Sequence, residues 1–275
     1  MTVQRSPAAP APPPVEPGLL SRALEVAGRL ANDAAVVITA TAGRDRRSGP
    51  EYPFDWVTDT GHTVERHTRR VLAAEFPGVP VGEPAGIDGA TTPYRWLVAP
   101  VDGVANYVAG LPWCAYSLAL VDTFGPVVGV IADPSRAHIY AAARGHGARA
   151  NGLPVQMADR SAAGGLVCTE LLPSAGARFA QVTGARAVLR TLGSAALAIT
   201  EVALGHAVAA VLDGYRDHDV AAAVCLAGEA GARVAEEPDG LVVAVPCAVD
   251  EVLGWWRAAR PAGSGARVGP SPDRC

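Results

Sequence analysis

Four short apolar runs, at residues 96–98, 116–121, 127–133 and 139–143, follow one another with Gly125, Pro126 and Pro134 as punctuation. Runs of this length, rich in Val, Ile, Leu and Tyr and bounded by turn-forming residues, are strands rather than helices. Short connections fold the later ones back on their neighbours, so the middle of the chain predicts an antiparallel meander. Two helices precede it. Leu20, Leu24, Ala27, Leu30 and Ala34 recur at helical spacing, as do Val64, Val71, Leu72 and Phe76. Between these helices, residues 43–53 carry Arg44, Arg46 and Arg47 without any apolar period and read as a mobile loop. The second half alternates: a strand at 188–189, a helix at about 194–205, a strand at 207–212, a helix at about 220–231 and a strand at 241–245. The predicted class is α/β, with layers of helix and sheet stacked as an α-β-α-β sandwich.

Composition bounds the function. With 275 residues, 49% of them hydrophobic, the chain can bury a large core. Residues 1–17 and 261–275 are Pro/Ala/Gly-rich and predict a disordered leader and a flexible tail. The domain between them, 18–260, reads as two packed halves of about 18–150 and 151–260. The 23 basic and 27 acidic residues are scattered, giving a net charge of −4 and no basic stripe to neutralise a nucleic-acid backbone. Every basic residue is Arg and none is Lys, a bias of composition before it is chemistry. The partner expected is a small molecule, with neither nucleic acid nor membrane. Cys114, Cys168, Cys225, Cys247 and Cys275 are widely spaced and form no CxxC pair, so neither a disulfide framework nor a zinc site is indicated. Without a basic n-region and apolar h-region, or a run of about 18 apolar residues, a cytoplasmic location is expected.

Chemistry concentrates in four short segments. The run Ala99-Pro100-Val101-Asp102-Gly103-Val104-Ala105-Asn106-Tyr107 lies at the end of a predicted strand; Gly82-Glu83 follows Phe76-Pro77; Leu192-Gly193-Ser194-Ala195-Ala196 opens a predicted helix; His218-Asp219-Val220-Ala221-Ala222 opens another. In order and spacing these resemble the motifs of the inositol monophosphatase family, within the sugar-phosphatase group that includes fructose bisphosphatases, over roughly residues 19–250. There the first segment is Asp-Pro-Ile/Leu-Asp-Gly-Thr-x-Asn-Phe, the second Gly-Glu-Glu, the third lines a polyol pocket and the fourth is Trp-Asp-x-Ala-Ala/Gly. The resemblance implies the layered fold of that family, a pocket between the two halves, and a homodimer. It implies metal ligation by Glu83, Asp102, Asp219 and the carbonyl of Val101, and substrate contacts from Gly103, Val104, Gly193 and Ala195. The family site uses two or three Mg²⁺ to hold phosphate and activate water, which requires a dense set of hard oxygen ligands.

This chain departs from that set. The bridging first Asp of the loop is Ala99, the water-orienting Thr is Val104, the acid of a Val-Thr-x-x-Asp motif falls on Gly61, and Pro84 follows Glu83. Asp59 compensates for Gly61 only if residues 59–61 are extended, because a helical start would turn it away. His218 stands where the family has Trp, placing a group that titrates near neutrality at the pocket mouth. The family often has a hydroxyl-binding acid near here; ungapped matching gives Leu212, and Asp213 qualifies only if the turn has shifted. Asp88 reads as a turn residue, His62, Glu65, Arg66 and His67 as a solvated helical face, the Trp255-Trp256 pair as packing, and Cys114 as a buried small hydrophobe.

Three readings follow, in this order. The first is a repurposed pocket, with two-metal phosphatase activity lost, performing metal-independent or metal-poor acid/base chemistry on a small polar metabolite through Asp102, Asp219, Glu83 and His218. The second is a weak Mg²⁺-dependent phosphomonoesterase acting on inositol or sugar phosphates, and the third a non-catalytic ligand-binding protein. The cofactor expected is accordingly none, or a single weakly held Mg²⁺.

Overall fold

The computed structural model describes residues 14–44, 47–48, 57–82, 92–237 and 240–260. The first helix, α1 (Pro17–Thr41), starts where Pro17 needs no amide partner and Glu16 accepts from the amides of Gly18 and Leu19 at 2.9 and 2.7 Å. Its buried stripe, Leu20, Ala23, Ala27, Leu30, Ala34 and Ile38, follows the spacing of the sequence. After the two-residue strands β1 (Arg47–Ser48) and β2 (Val57–Thr58), Thr58 caps α2 (Asp59–Glu75) by accepting from the Gly61 amide at 3.0 Å.

Then comes the meander: β3 (Arg95–Asp102), the short helix α3 (Val104–Ala109), β4 (Ala115–Asp122), β5 (Gly125–Asp133), β6 (His138–Ala143), β7 (Ala148–Ala150) and β8 (Leu153–Pro154). These six strands form one antiparallel sheet in chain order. The second half supplies β9 (Leu166–Glu170), α4 (Pro173–Thr183), β10 (Val188–Arg190), α5 (Ala195–Ala203), β11 (Ala209–Asp213), α6 (Asp217–Glu229), β12 (Arg233–Glu237), β13 (Gly240–Ala244) and α7 (Val249–Ala258). Its sheet runs β10-β9-β11-β13-β12, with β9 parallel to both β10 and β11 and β13 antiparallel to its neighbours.

The layers stack as expected, with one addition. Helices α1 and α2 cover one face of the first sheet; α5 and α6 lie between the sheets; α4 and α7 cover the far face of the second sheet as a further helical layer. Tight approach between the middle layers depends on small residues. A Cβ on Gly129 of β5 would lie 2.4 Å from the Ala222 carbonyl oxygen of α6. The sequence patterns predict none of β1, β2, β7, β8, β9, α4, β12 and α7. The helix α4 carries Ala, Gly, Ser and one Phe, too weak a stripe to stand out, although Phe179 is fully buried. Trp255 and Trp256 prove to be buried on α7, the packing role expected of them. Of the loop expected at 43–53, only 43, 44 and the backbone of 47–48 fall within the described residues; Asp88, the leader before residue 14 and the tail at 261–275 lie outside them.

Candidate active site

Strand β3 is longer than its apolar core suggested, and its end is bent. The ladder to β4 pairs Ala99 with Ser117 and Asp102 with Ala115, with a register shift between them. Pro100 has no amide to give the ladder, so a bulge at Pro100-Val101 is the local solution, and it re-aims the next side chain. That side chain is Asp102. Gly103 follows at φ +77°, where a Cβ would sit 2.5 Å from the Trp113 carbonyl oxygen and 2.9 Å from that of Gly193. Only glycine allows this crossing. Gly193 mirrors it at φ +75°, a Cβ there falling 2.7 Å from Asn106 Nδ2. The Asn106 amide donates to the carbonyls of Trp113 and Leu192 at 2.8 and 2.7 Å, stitching α3 to the loop that follows it and to the loop before α5.

Asp102 is thereby carried to the N-terminus of α5. Its Oδ2 accepts from the Ser194 hydroxyl and from the Ala196 amide at 3.0 Å, while Ser194 Oγ accepts from the Leu197 amide at 3.2 Å. Ser194 is therefore both helix cap and carboxylate anchor. Burial, followed by the nearby charge of Asp219, pushes the Asp102 carboxyl up to about 7, and the Ser194 and Ala196 hydrogen bonds only partly oppose this. A carboxyl in this state holds a proton near neutrality.

Asp219 enters from α6. Its Oδ2 accepts from the Arg216 amide at 3.1 Å, closing the first turn, and its Oδ1 lies 3.4 Å from His218 Nε2. A third acid, Glu170 at the end of β9, was not singled out from the sequence. Its Oε1 accepts from the Leu192 and Gly193 amides at 2.8 and 2.9 Å, and its charge is felt at Asp102. Burial holds its carboxyl above the ordinary range despite those amides. The signal available was an acid terminating the apolar run 166–168, but nothing local says that the run is a strand ending at the site.

Other candidates fall as follows. Glu83 lies outside the described residues. Val101 is within the bulge, Val104 begins α3 half-buried, and Ala195 begins α5 beside the amide that Asp102 uses. Ala99 is buried with a methyl where the resemblance would have a bridging carboxylate. Asp59 does not stand in for Gly61. The helix α2 begins at Asp59, so Asp59 is exposed and Gly61 buried, the outcome that a helical start imposes. Asp213 must be reassigned. It ends β11 pointing to the α4/α7 side, where it accepts from the Leu172 amide at 2.8 Å and lines a cavity with Arg178 and Trp256. Leu212, one residue earlier and so on the opposite face, is fully buried. Cys114 is buried, and desolvation pushes its thiol up to about 11, a packing cysteine rather than a nucleophile. Of the helical face, His67 meets Asp33 at 3.1 Å while His62, Glu65 and Arg66 line an open surface hollow. Among the described residues, no three His, Cys, Asp or Glu side chains come together as a metal-holding group.

This arrangement, with Asp102 ahead of a glycine turn and Asp219 at the start of a helix, has counterparts in known proteins. The family model described as "Inositol monophosphatase family" matches residues 20–246. The chain belongs to that family. Relatives include a Nus factor SuhB of Pasteurella multocida, 29% identical and covering 84% of this chain and 94% of its own length. The inositol monophosphatase 2 of Mus musculus is 30% identical, with 82% and 83% covered. Among solved structures, an IMPase of Thermotoga maritima superposes with a TM-score of 0.80 at 23% identity, covering 86% of this chain and 97% of that one. The SuhB of Mycobacterium tuberculosis gives 0.72 at 27% identity, with 87% and 97% covered. The inositol monophosphatase fold thus holds at 23–27% identity.

Proposed function

We propose that this family member keeps the pocket but not the two-metal phosphatase chemistry, and that it acts on a small polar metabolite through acid/base chemistry centred on Asp102. The observation that carries the reading is the buried Asp102 carboxyl, anchored on one oxygen by Ser194 and Ala196 and facing the charge of Asp219. Two hard cations about 4 Å apart need a bridging carboxylate and several further oxygens. Here the bridging position is the methyl of buried Ala99, Val104 has no hydroxyl to orient water, and Gly61 offers nothing. These three positions weigh against a two-metal centre.

The chain's own groups support simpler chemistry. Asp102, protonated near neutrality, can give a proton to an oxygen or nitrogen of a bound metabolite and take it back as a carboxylate. His218, held beside Asp219 and partly exposed, is the second proton carrier at the mouth. Asn106, bonded to the Trp113 and Leu192 carbonyls, ties α3 to the loop that leads into α5 and so holds Asp102 beside that loop.

Phosphate release from inositol and sugar phosphates, measured with Mg²⁺ and with chelator, tests the reading, alongside the Ala99→Asp/Val104→Thr variant. Wild type inactive under both conditions, with Mg²⁺-dependent release appearing in the variant, supports it. Mg²⁺-dependent turnover by wild type overturns it in favour of a phosphomonoesterase. The non-catalytic reading is favoured by the similarity, over 84% of this chain, to a protein named Nus factor SuhB. It gains if no metabolite is turned over by wild type yet a protein partner is retained by both wild type and Asp102→Asn.

A further inference from the structure

Outside the Asp102 cluster, the far helical layer encloses a cavity of about 170 Å³ between α4, α7 and the end of β11. Its walls divide by chemistry. Phe179 and Trp256, both buried, form the floor with Ala175, and Ala259 and Leu172 complete the apolar lining. At the rim stand charges of both signs. Arg178 donates through Nε to the Ala259 carbonyl at 2.9 Å, and its terminal nitrogens make no hydrogen bond or ion pair among the described residues. Arg260 lies over the Trp256 ring at 3.9 Å, extending the cationic side. On the same lining, Asp213 Oδ1 accepts from the Leu172 amide, and its other oxygen accepts no hydrogen bond among the described residues.

We propose that this cavity binds an α-amino acid with an apolar side chain, its carboxylate on Arg178 and its ammonium on Asp213. The size agrees: a cavity of ~150 Å³ lined by apolar side chains holds benzene, so the floor accommodates a phenyl or branched aliphatic group. The charges agree as well. An isolated anion would meet the Asp213 carboxylate and an isolated amine the guanidiniums, whereas a zwitterion offers a counter-charge to each; Arg178 and Arg260 are near enough to Asp213 for their charges to act on its carboxyl, so both signs line one cavity. The cavity is separate from the Asp102 pocket because adjacent residues of β11 face opposite sides, Leu212 toward the middle layer and Asp213 toward α4.

Calorimetric titration of the full chain with L-phenylalanine, L-leucine, 3-phenylpropanoate and phenethylamine tests this. The amino acids bind, and loss of either charged group weakens L-phenylalanine roughly tenfold or more. In Asp213→Asn, which keeps an acceptor for the Leu172 amide, the preference for L-phenylalanine over 3-phenylpropanoate disappears. In Arg178→Met, which keeps the apolar stem, the preference over phenethylamine disappears. The variant Ala175→Leu fills the cavity without touching either charge and abolishes binding, so the test survives a misfolded Asp213 variant. No binding of either amino acid to wild type, or binding indifferent to Ala175→Leu, overturns the proposal.

Discussion

Replacing Asp102 by Asn removes an ionisation while leaving shape and hydrogen bonds nearly intact, because an amide oxygen can still accept from Ser194 and Ala196. In the wild type the carboxyl rises from an ordinary 3.8 to about 7 on folding. Between those values the folded protein holds a proton that the unfolded chain has released. Wild-type stability therefore falls as pH rises through that window and levels off above it. The full span is worth about 4 kcal/mol, of which about 3 kcal/mol falls between about pH 4.5 and about pH 8. Asp102→Asn lacks this loss, so it gains on the wild type by that amount as pH is raised. Urea unfolding of both proteins, with chelator present throughout, measures the difference at each pH. Adding Asp219→Asn reduces the wild-type span, since the Asp219 charge is the second cause of the shift. A wild-type-to-variant difference that stays constant to within about 0.5 kcal/mol over the whole range refutes the reasoning, because it would mean that Asp102 titrates alike in folded and unfolded chains.

Three further outcomes test how the site is built. Gly103→Ala forces a Cβ to 2.5 Å from the Trp113 carbonyl oxygen at φ +77°; the strain and displacement cost about 2–4 kcal/mol, read as a lowered melting temperature. Glu170→Ala leaves the Leu192 and Gly193 amides without their acceptor; a loss of about 1–3 kcal/mol is expected, with faster hydrogen exchange at those two amides. Asn106→Ala cuts both links to the Trp113 and Leu192 carbonyls. It should destabilise by about 1–2 kcal/mol and raise exchange in both loops together, whereas a response confined to one loop would show that they are not coupled through Asn106.

Much of the architecture was legible because the signals were local. The stripes of α1 and α2, the punctuated strands of the meander and the caps of α5 and α6 each depend on residues within a few positions of one another. The family pattern supplied Asp102, Asp219, Gly103 and Gly193. Two of the elements that escaped have few or small apolar residues: α4 has Ala, Gly and Ser around a single buried Phe179, and β12 is an edge strand that stays largely polar.

By itself the sequence determined which side chains can do chemistry: it places a methyl at Ala99, a valine at Val104 and no carboxylate at Gly61, and no packing can restore oxygen ligands from these. Only the tertiary structure decided where the surviving acids face. Asp59 and Gly61 are two residues apart, yet helix α2 sends them to opposite environments. Leu212 and Asp213 are adjacent, yet strand alternation gives one to the core and the other to the α4/α7 cavity. Glu170 reaches the Leu192–Gly193 loop across 22 residues of sequence, and Asp102 reaches Ser194 across 92. Burial and mutual repulsion, the forces that bring Asp102 to titrate near neutrality, exist only once those distant segments are packed together.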